Sequence, residues 1–436
     1  MADYCALVSK QRSFFLSGGT RDLAGRKARV SAFLSLITEN RQAIDEAIYA
    51  DLRRRGGTEV DSTIGKTRHL LEHMDEWAAP KKLATPAPFS ADTDSVLLVP
   101  EPLGVVLVIG PWNFPLSTTS PMAHALAAGN TVILKPSEMA AAYSRKIAEL
   151  IPKYFKEEEV ACVEGAIPET TALLRERFDH ILYTGCPPVA KIVMTAAARH
   201  LTPVTLELGG KNPVFVDDSA DRAVTAGAIV RAKLHNAGQI CISADYLLVT
   251  PATKPKVIAA LTAGFGGMGD LTKSEHFGRI INERHFHRLT ALLAKTKGTV
   301  VYKSDGEANE GDKYIPITIV DVNSDDELMK DEIFGPILPI VTVASFEEAL
   351  EFVRRNEKPL GAYIFTRSDE QATRWIAETS SGAVVVNDIM VQYAVENLPF
   401  GGVGNSGMGR IHGHFGFATF THEKAVLARG GVKPQL

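Results

Sequence analysis

The sequence predicts an α/β protein whose parallel sheets are covered by helices on both faces, and three observations carry that expectation. Apolar runs of β type alternate with stretches whose apolar residues recur every three or four positions. One such run, Leu103 to Ile109, is apolar throughout and ends at Gly110-Pro111, as a buried parallel strand and its turn should. With 436 residues the chain is too long for one ordinary core, so two or three domains are expected.

Taken in order, Val30, Phe33, Leu34, Ile37, Ile44, Ala47 and Ile48 keep helical spacing from Asp22 to Asp51. A second helix passes through Ile64, Leu70, Leu71 and Met74 to Trp77 and stops before Pro80. Residues 80–102 hold Pro80, Pro86, Pro88, Pro100 and Pro102 around the short run Val96 to Val99. That proline density reads as excluding a central strand and as giving an extended arm or linker. After the strand Leu103 to Ile109 come a helix from Met122 to Ala128, a strand from Thr131 to Leu134 and the turn Lys135-Pro136-Ser137-Glu138. A strand Ile181 to Tyr183, a helix Lys191 to Ala198 and a strand Val204 to Leu208 continue the alternation. A second α/β unit follows, with helices over Leu271 to Leu293 and Phe346 to Arg355 and β-type runs at Ile315 to Val320, Ile337 to Val343 and Ala383 to Val386.

Hydrophobic content of 45% and charge of 22% are those of a soluble globular protein, and a net charge of −4 carries no basic signature, so no nucleic-acid partner is expected. Cys5, Cys162, Cys186 and Cys241 are scattered without a C-x-x-C pair. This argues against a metal site and a disulfide framework, and for a reducing, cytoplasmic location. No charge-free apolar stretch of membrane-spanning length is present. The start, Met1-Ala2-Asp3-Tyr4, has no basic region leading into an apolar one, and the end, Val432 to Leu436, carries no hydrophobic anchor.

Two stretches carry chemistry. In Asn236-Ala237-Gly238-Gln239-Ile240-Cys241 a cysteine follows a glycine-containing turn. A thiol with an ordinary pKa near ~8.5 is already a usable nucleophile, although Ile240 and Ile242 beside it also suit a small buried hydrophobe. In Thr205-Leu206-Glu207-Leu208-Gly209-Gly210-Lys211-Asn212-Pro213 a glutamate stands in an apolar run that breaks at two glycines. Poor solvation would raise its pKa toward the range of a general base; a strand-end ion pair with Lys211 is the other reading.

Together with Pro111-Trp112-Asn113-Phe114-Pro115, Glu332-Ile333-Phe334-Gly335-Pro336 and Pro399-Phe400-Gly401-Gly402, these stretches resemble the aldehyde dehydrogenase superfamily. Glu101 to Gly110, Arg177 to Gly185 and Gly401 to Gly409 resemble its class 3 branch, and the similarity runs nearly the whole length. The resemblance implies a Rossmann-type cofactor domain (1–79 and 103–210), an α/β catalytic domain (211–400) and a small β oligomerisation arm (80–102 and 401–436) that bridges a homodimer. It implies NAD or NADP as cofactor and oxidation of a medium-chain, fatty or aromatic aldehyde to the acid.

In that scheme Cys241 forms a thiohemiacetal, Asn113 and the Cys241 N–H hold the oxyanion, and Glu207 activates the water that hydrolyses the thioester. Asn113 also reads as a turn residue between Trp112 and Phe114. The cofactor contacts implied are Trp112, Lys135, Glu138, Thr184, Gly185, Cys186, Val189, Leu208, Gly209, Glu332 and Phe334. Glu138 equally suits a helix N-terminus, and Phe334 equally suits packing. Phe114, Tyr393 and Phe400, with Trp112, would line the aldehyde site, and Lys211 and Asn387 would support it. The chain departs from its relatives at Thr184-Gly185-Cys186-Pro187-Pro188-Val189-Ala190, where the two prolines remove N–H donors from a helix start that would face the pyrophosphate. A relative that passes the thioester to coenzyme A, and a catalytically retired scaffold, are the alternatives.

Overall fold

The computed structural model describes residues 4–434, so the readings placed on Met1 to Asp3 and on Gln435-Leu436 lie outside the described residues. Four helices open the chain: α1 (Cys5–Leu16), α2 (Leu23–Glu39), α3 (Arg41–Leu52) and α4 (Gly57–Ala78). The helical spacing from Asp22 to Asp51 is divided between α2 and α3, because Asn40 leaves helical geometry and turns its amide onto the Leu36 carbonyl at 2.9 Å. Asp22 caps α2 by accepting the Gly25 N–H at 2.9 Å, a bond worth ~1 kcal/mol. Val30, Phe33 and Ile37 of α2 and Val60, Leu70 and Met74 of α4 then share one core.

β1 (Lys81–Leu83) and β2 (Ser95–Pro102) lead into the cofactor-side unit. It comprises β3 (Val105–Ile109), α5 (Pro115–Thr119), α6 (Pro121–Ala128), β4 (Thr131–Lys135), α7 (Ala141–Tyr154), β5 (Val160–Cys162), α8 (Ile167–Leu173), β6 (His180–Thr184), α9 (Pro187–Ala198) and β7 (Val204–Glu207). The strands pair in parallel in the order β5-β4-β3-β6-β7. β3 and β4 are buried along their whole length, which is why β3 reads as an unbroken apolar run and β4 carries Val132-Ile133-Leu134 at its centre. From β3 the chain builds outward through β4 and β5, then resumes at β6 on the other side of β3. Open sheets bind ligands beyond the carboxyl ends of the strands at such a reversal.

The second unit holds β8 (Pro213–Val216), α10 (Arg222–Leu234), β9 (Tyr246–Val249), α11 (Lys254–Gly266), α12 (Glu283–Lys295), β10 (Thr299–Lys303), β11 (Thr318–Val322), β12 (Ile337–Thr342), α13 (Phe346–Arg355), β13 (Gly361–Phe365), α14 (Asp369–Glu378) and β14 (Ala383–Val386). Its sheet runs β10-β11-β12-β9-β8-β13-β14, parallel except where β10 meets β11. The helix expected over Leu271 to Leu293 is confined to α12. Before it, Asp270 and Ser274 take the N–H groups of Thr272 (3.0 Å) and Phe277 (3.2 Å) into side-chain turns, and Asn282 caps α12 through the His285 N–H.

The chain closes with β15 (Gly407–Met408), α15 (Gly413–Thr419) and β16 (Thr421–Ala428). The stretch 401–436 therefore divides. β15 adds an antiparallel pair to β7 at Glu207, while β16 runs along all of β2 to complete a third sheet, β1-β2-β16. β2 is thus a central strand despite its prolines, which corrects the reading of 80–102. The reason is register: β1 pairs only with Val96 to Leu98, so at Pro100 and Pro102 the strand has β16 as its one neighbour. On a locally one-sided strand, a missing N–H on the unpaired side costs no ladder bond.

Candidate active site

α10 ends in a short turn, His235–Gly238, whose last three residues are all left-handed: Asn236 (φ 51°), Ala237 (φ 52°) and Gly238 (φ 73°). Such conformations cost non-glycine residues on the order of 1 kcal/mol or more each and persist only where the surroundings over-determine them. They are over-determined here. The Asn236 amide donates to the carbonyls of Asn113 (3.0 Å) and Gln239 (3.2 Å), and the Gln239 amide to those of Asn236 (3.0 Å) and Arg279 (2.9 Å). Gly238 lies so close to the Gly335 carbonyl that a Cβ there would stand 2.4 Å from its oxygen. The turn is therefore locked against the Glu332 to Gly335 segment. On its far side Asn212 donates to the carbonyls of Cys241 and Ser243, both at 2.8 Å, which fixes the half-buried Cys241 from below.

Burial, then the nearby Glu332 and Glu207 carboxylates, push the Cys241 thiol up to about 12, against an opposing pull from the N–H groups of Cys241 and Ile242. The ordinary thiol pKa expected from the sequence is thereby corrected upward. Glu207 ends β7 fully buried, which holds its carboxyl well above the usual range, and neither carboxyl oxygen has a hydrogen-bond partner in the protein. Lys211 does not pair with it. Its ammonium goes instead to the Asp245 carboxylate and to the Leu328 carbonyl at 2.8 Å. Asn113, buried just beyond β3, donates its side-chain amide to the Gln239 carbonyl at 3.1 Å, two residues before Cys241. The structure thus brings Cys241, Glu207 and Asn113 to one place.

Most residues expected to hold a dinucleotide sit at the carboxyl ends of β3, β4, β6 and β7 or in the turns after them, whereas Glu332 and Phe334 come from the segment before β12. Lys135 is buried at the end of β4 with its ammonium 3.7 Å from the half-exposed Glu138 carboxylate. Trp112 and Phe334 meet edge to face at 5.3 Å, and the His285 ring lies 5.4 Å from the indole. The Glu332 carboxylate, pushed up to about 8 by burial and by Asp245, lies directly over Gly209, where a Cβ would meet it at 2.3 Å. Leu208 is buried behind it. The donor-poor helix start is visible at α9. Pro187 and Pro188 carry no N–H, the Cys186 N–H is given to the Tyr183 hydroxyl at 3.0 Å, and the Ala190 N–H goes to the Cys186 carbonyl. Thr184, Gly185, Cys186 and Val189 remain at least partly accessible on that rim. Ala190, by contrast, is buried against the sheet, so its methyl packs into the core. The crevice suits a dinucleotide, with few backbone donors at its middle.

On the substrate side, Tyr393 and Phe400 meet edge to face at 5.1 Å, and His412 stacks on Phe400 at 5.2 Å. Phe114, in the same apolar cluster, lies between His235 (5.3 Å) and the Arg54 guanidinium (4.4 Å). Asn387 does not reach the catalytic group: its amide closes two bonds with the Thr366 backbone. Sequence reasoning missed Arg54 and Glu59, a buried ion pair at 2.5 Å. It also missed Lys66, whose ammonium lies 3.4 Å over the Tyr393 ring and which burial pushes down to about 7. Among the described residues, His69, Glu72 and His73 on α4 bring three metal-type ligand atoms within 4.8 Å of one another, and none of them hydrogen-bonds to Cys241, Glu207 or Asn113.

The profile of the aldehyde dehydrogenase family matches residues 3–426. The chain is 42% identical over 439 residues to the dimeric NADP-preferring aldehyde dehydrogenase of Canis lupus familiaris, covering 98% of this chain and 95% of that one. It is 43% identical to aldehyde dehydrogenase family 3 member A2 of Mus musculus, covering 97% and 88%. Among solved structures, the substrate-bound state of Staphylococcus aureus AldH superposes with a TM-score of 0.95 at 37% identity, over 98% of this chain and 94% of that one. The chain belongs to the aldehyde dehydrogenase family, with class 3 members among its relatives, and is an NAD(P)-dependent oxidoreductase acting on aldehydes.

Proposed function

We propose that the chain oxidises medium-chain, fatty or aromatic aldehydes to carboxylic acids, with Cys241 as nucleophile, Glu207 as general base, and the Asn113 amide and Cys241 N–H as oxyanion donors. The observation that carries this is the meeting of a buried, unpartnered Glu207 with the Cys241 thiol on a loop bonded to Asn113. The thiol passes its proton to solvent water as sulfur bonds to the carbonyl carbon, and the charge that develops on oxygen is met by the two N–H donors. NAD or NADP, which the residues named below would hold, would supply the hydride acceptor for oxidation of the Cys241 adduct to a thioester. Glu207 then takes a proton from water as its oxygen attacks the thioester, the acid leaves, and the thiol is restored.

Trp112, Lys135, Glu138, Thr184, Gly185, Cys186, Val189, Leu208, Gly209, Glu332 and Phe334 would hold the dinucleotide. Glu138 offers a carboxylate to ribose hydroxyls and Lys135 a cation to a 2′-phosphate, so the rim accommodates NAD and NADP alike. Phe114, Tyr393 and Phe400 supply the apolar wall for the aldehyde. Absorbance of reduced nucleotide, followed with NAD and NADP on an aromatic and a medium-chain aldehyde, is expected to show turnover with free acid as product. Acyl transfer to coenzyme A without acid would reassign the chain to the thioester-transferring relatives. No turnover, with no thermal stabilisation by either nucleotide, would favour the scaffold reading.

A homodimer is part of the same proposal. β16 and β14 each end a sheet, and exposed Leu427 and Val386 stand on those open edges, a liability in a lone subunit. The canine relative is named dimeric. Sizing at micromolar concentration is expected to give twice the chain mass, and a monomer would refute it. The free thiols of Cys162, Cys186 and Cys241 agree with a reducing, cytoplasmic setting. No helix among the described residues is long and apolar enough to cross a membrane.

A further inference from the structure

Two segments far apart in the chain must be held in register for the oxyanion donors to converge: residues 112–117, which carry Asn113, and residues 236–241, which end at Cys241. We infer that Arg54 and Glu59, between α3 and the first turn of α4, are positioning residues that set this register. The inference rests on the oxyanion reading of Asn113 given above.

The geometry is specific. Side-chain exposure is 3% for Arg54 and 0% for Glu59, so both charges are removed from water. Desolvation of a buried pair largely cancels its attraction, and what such a pair supplies is defined geometry. The guanidinium is a rigid fork of donors. Its Nη2 donates to Glu59 Oε2 (2.5 Å) and to the Asn113 carbonyl (3.0 Å), and its Nε to Asn236 Oδ1 (3.2 Å). One planar group therefore bonds both segments at once. Its face also lies 4.4 Å from the centre of the Phe114 ring. The second Glu59 oxygen accepts the N–H groups of Leu116 (2.8 Å) and Ser117 (2.9 Å), pinning the first turn of α5 behind Asn113. Direct bonds then span the remaining gap, from Asn236 to the Asn113 carbonyl and from Asn113 to the Gln239 carbonyl.

Without the fork, Asn236 loses the Arg54 donor that orients its amide oxygen, and its left-handed conformation loses a restraint. The Asn113 amide would drift relative to the Cys241 N–H. Misplacement by about 1 Å costs on the order of 10²-fold in rate.

The test uses Arg54→Lys, which keeps the charge that Glu59 requires but cannot bridge two acceptors with a fixed fork, and the neutral pair Arg54→Met/Glu59→Gln. Asn113→Ala is measured beside them, alone and combined with Arg54→Lys. The expected result is a loss of roughly 10-fold or more in kcat and in the burst of reduced nucleotide for Arg54→Lys, with aldehyde and nucleotide KM and the alkylation rate of Cys241 little changed. A larger loss is expected for the neutral pair. In the Asn113→Ala background, itself slowed ~10²–10³-fold, Arg54→Lys is expected to add little, because it acts through Asn113. Independent, multiplying losses would overturn the inference, as would unchanged kcat or a change confined to KM. Unfolding of Arg54→Lys would assign the pair to stability and likewise overturn it. Full turnover by Asn113→Ala would instead fell the oxyanion reading, which separates the two failures.

Discussion

Cys241→Ala is expected to abolish reduced-nucleotide formation with every aldehyde, a loss on the order of 10⁴-fold or more by the scale seen when a catalytic nucleophile is removed. Neighbouring thiols cannot substitute. Cys186 stands on the α9 rim, and Cys162, raised to about 12 by burial, lies at the end of β5. The same physics predicts how the parent thiol behaves without nucleotide. Because burial and two carboxylates push it up to about 12, its thiolate fraction is small at neutral pH and grows about tenfold per pH unit below that value. Alkylation of Cys241 by iodoacetamide, followed by mass spectrometry of its peptide, is expected to climb without a plateau through pH 9. A plateau near the ordinary thiol range would contradict the electrostatic account of the site. Turnover in Cys241→Ala would remove the covalent mechanism altogether.

Glu207→Gln is expected to give a single burst of reduced nucleotide and then stop, with steady-state turnover down ~10²–10⁴-fold, the usual worth of a positioned general base. The thioester forms but its water is not activated, and acylated Cys241 should be detectable by mass. The carboxyl is held well above 4.5 by burial, so the basic form dominates only above that raised value. Parent turnover should therefore rise with pH well beyond the ordinary glutamate range, and the residual rate of Glu207→Gln should lack that limb. Stability follows the opposite course. A folded-state pKa raised above its unfolded value means that the folded chain holds the extra proton. The stabilisation is complete below about 4.5 and is lost as pH rises toward the folded value. Glu207→Gln is neutral throughout, so its melting temperature should gain on the parent's as pH rises; equal slopes would show that Glu207 titrates normally.

Much of this site was legible in the sequence because its parts are local. β3 is an unbroken apolar run, and β4 is apolar from Val132 to Leu134, since both faces of each strand are covered. Cys241 and Glu207 announce themselves through the glycine turns beside them, Gly238 pressed on Gly335 and Gly209 under Glu332. The parts that were not legible depend on partners distant in sequence. Pro100 and Pro102 look incompatible with a central strand until the short reach of β1 is known. Arg53-Arg54-Arg55 reads as a solvated run of charge, and nothing local tells that Arg54 alone turns inward to meet Glu59, Asn113 and Asn236. The thiol's state depends on its burial, then on two glutamates delivered by other segments. Loss of donors at Pro187 and Pro188 was readable, whereas the capture of the Cys186 N–H by Tyr183 needed the folded turn.

The two-residue strand β15 makes the seat of Glu207 depend on chain far from it in sequence. Gly407 pairs with Glu207 itself, and the Leu208 N–H is bonded to the Ser406 carbonyl. The groups that bond the Cys241 segment, at Asn113, Asn212, Arg279 and Tyr363, all belong to other parts of the chain. Loosening of residues 406–408 would therefore release the backbone at Glu207 while leaving the Cys241 segment its own bonds.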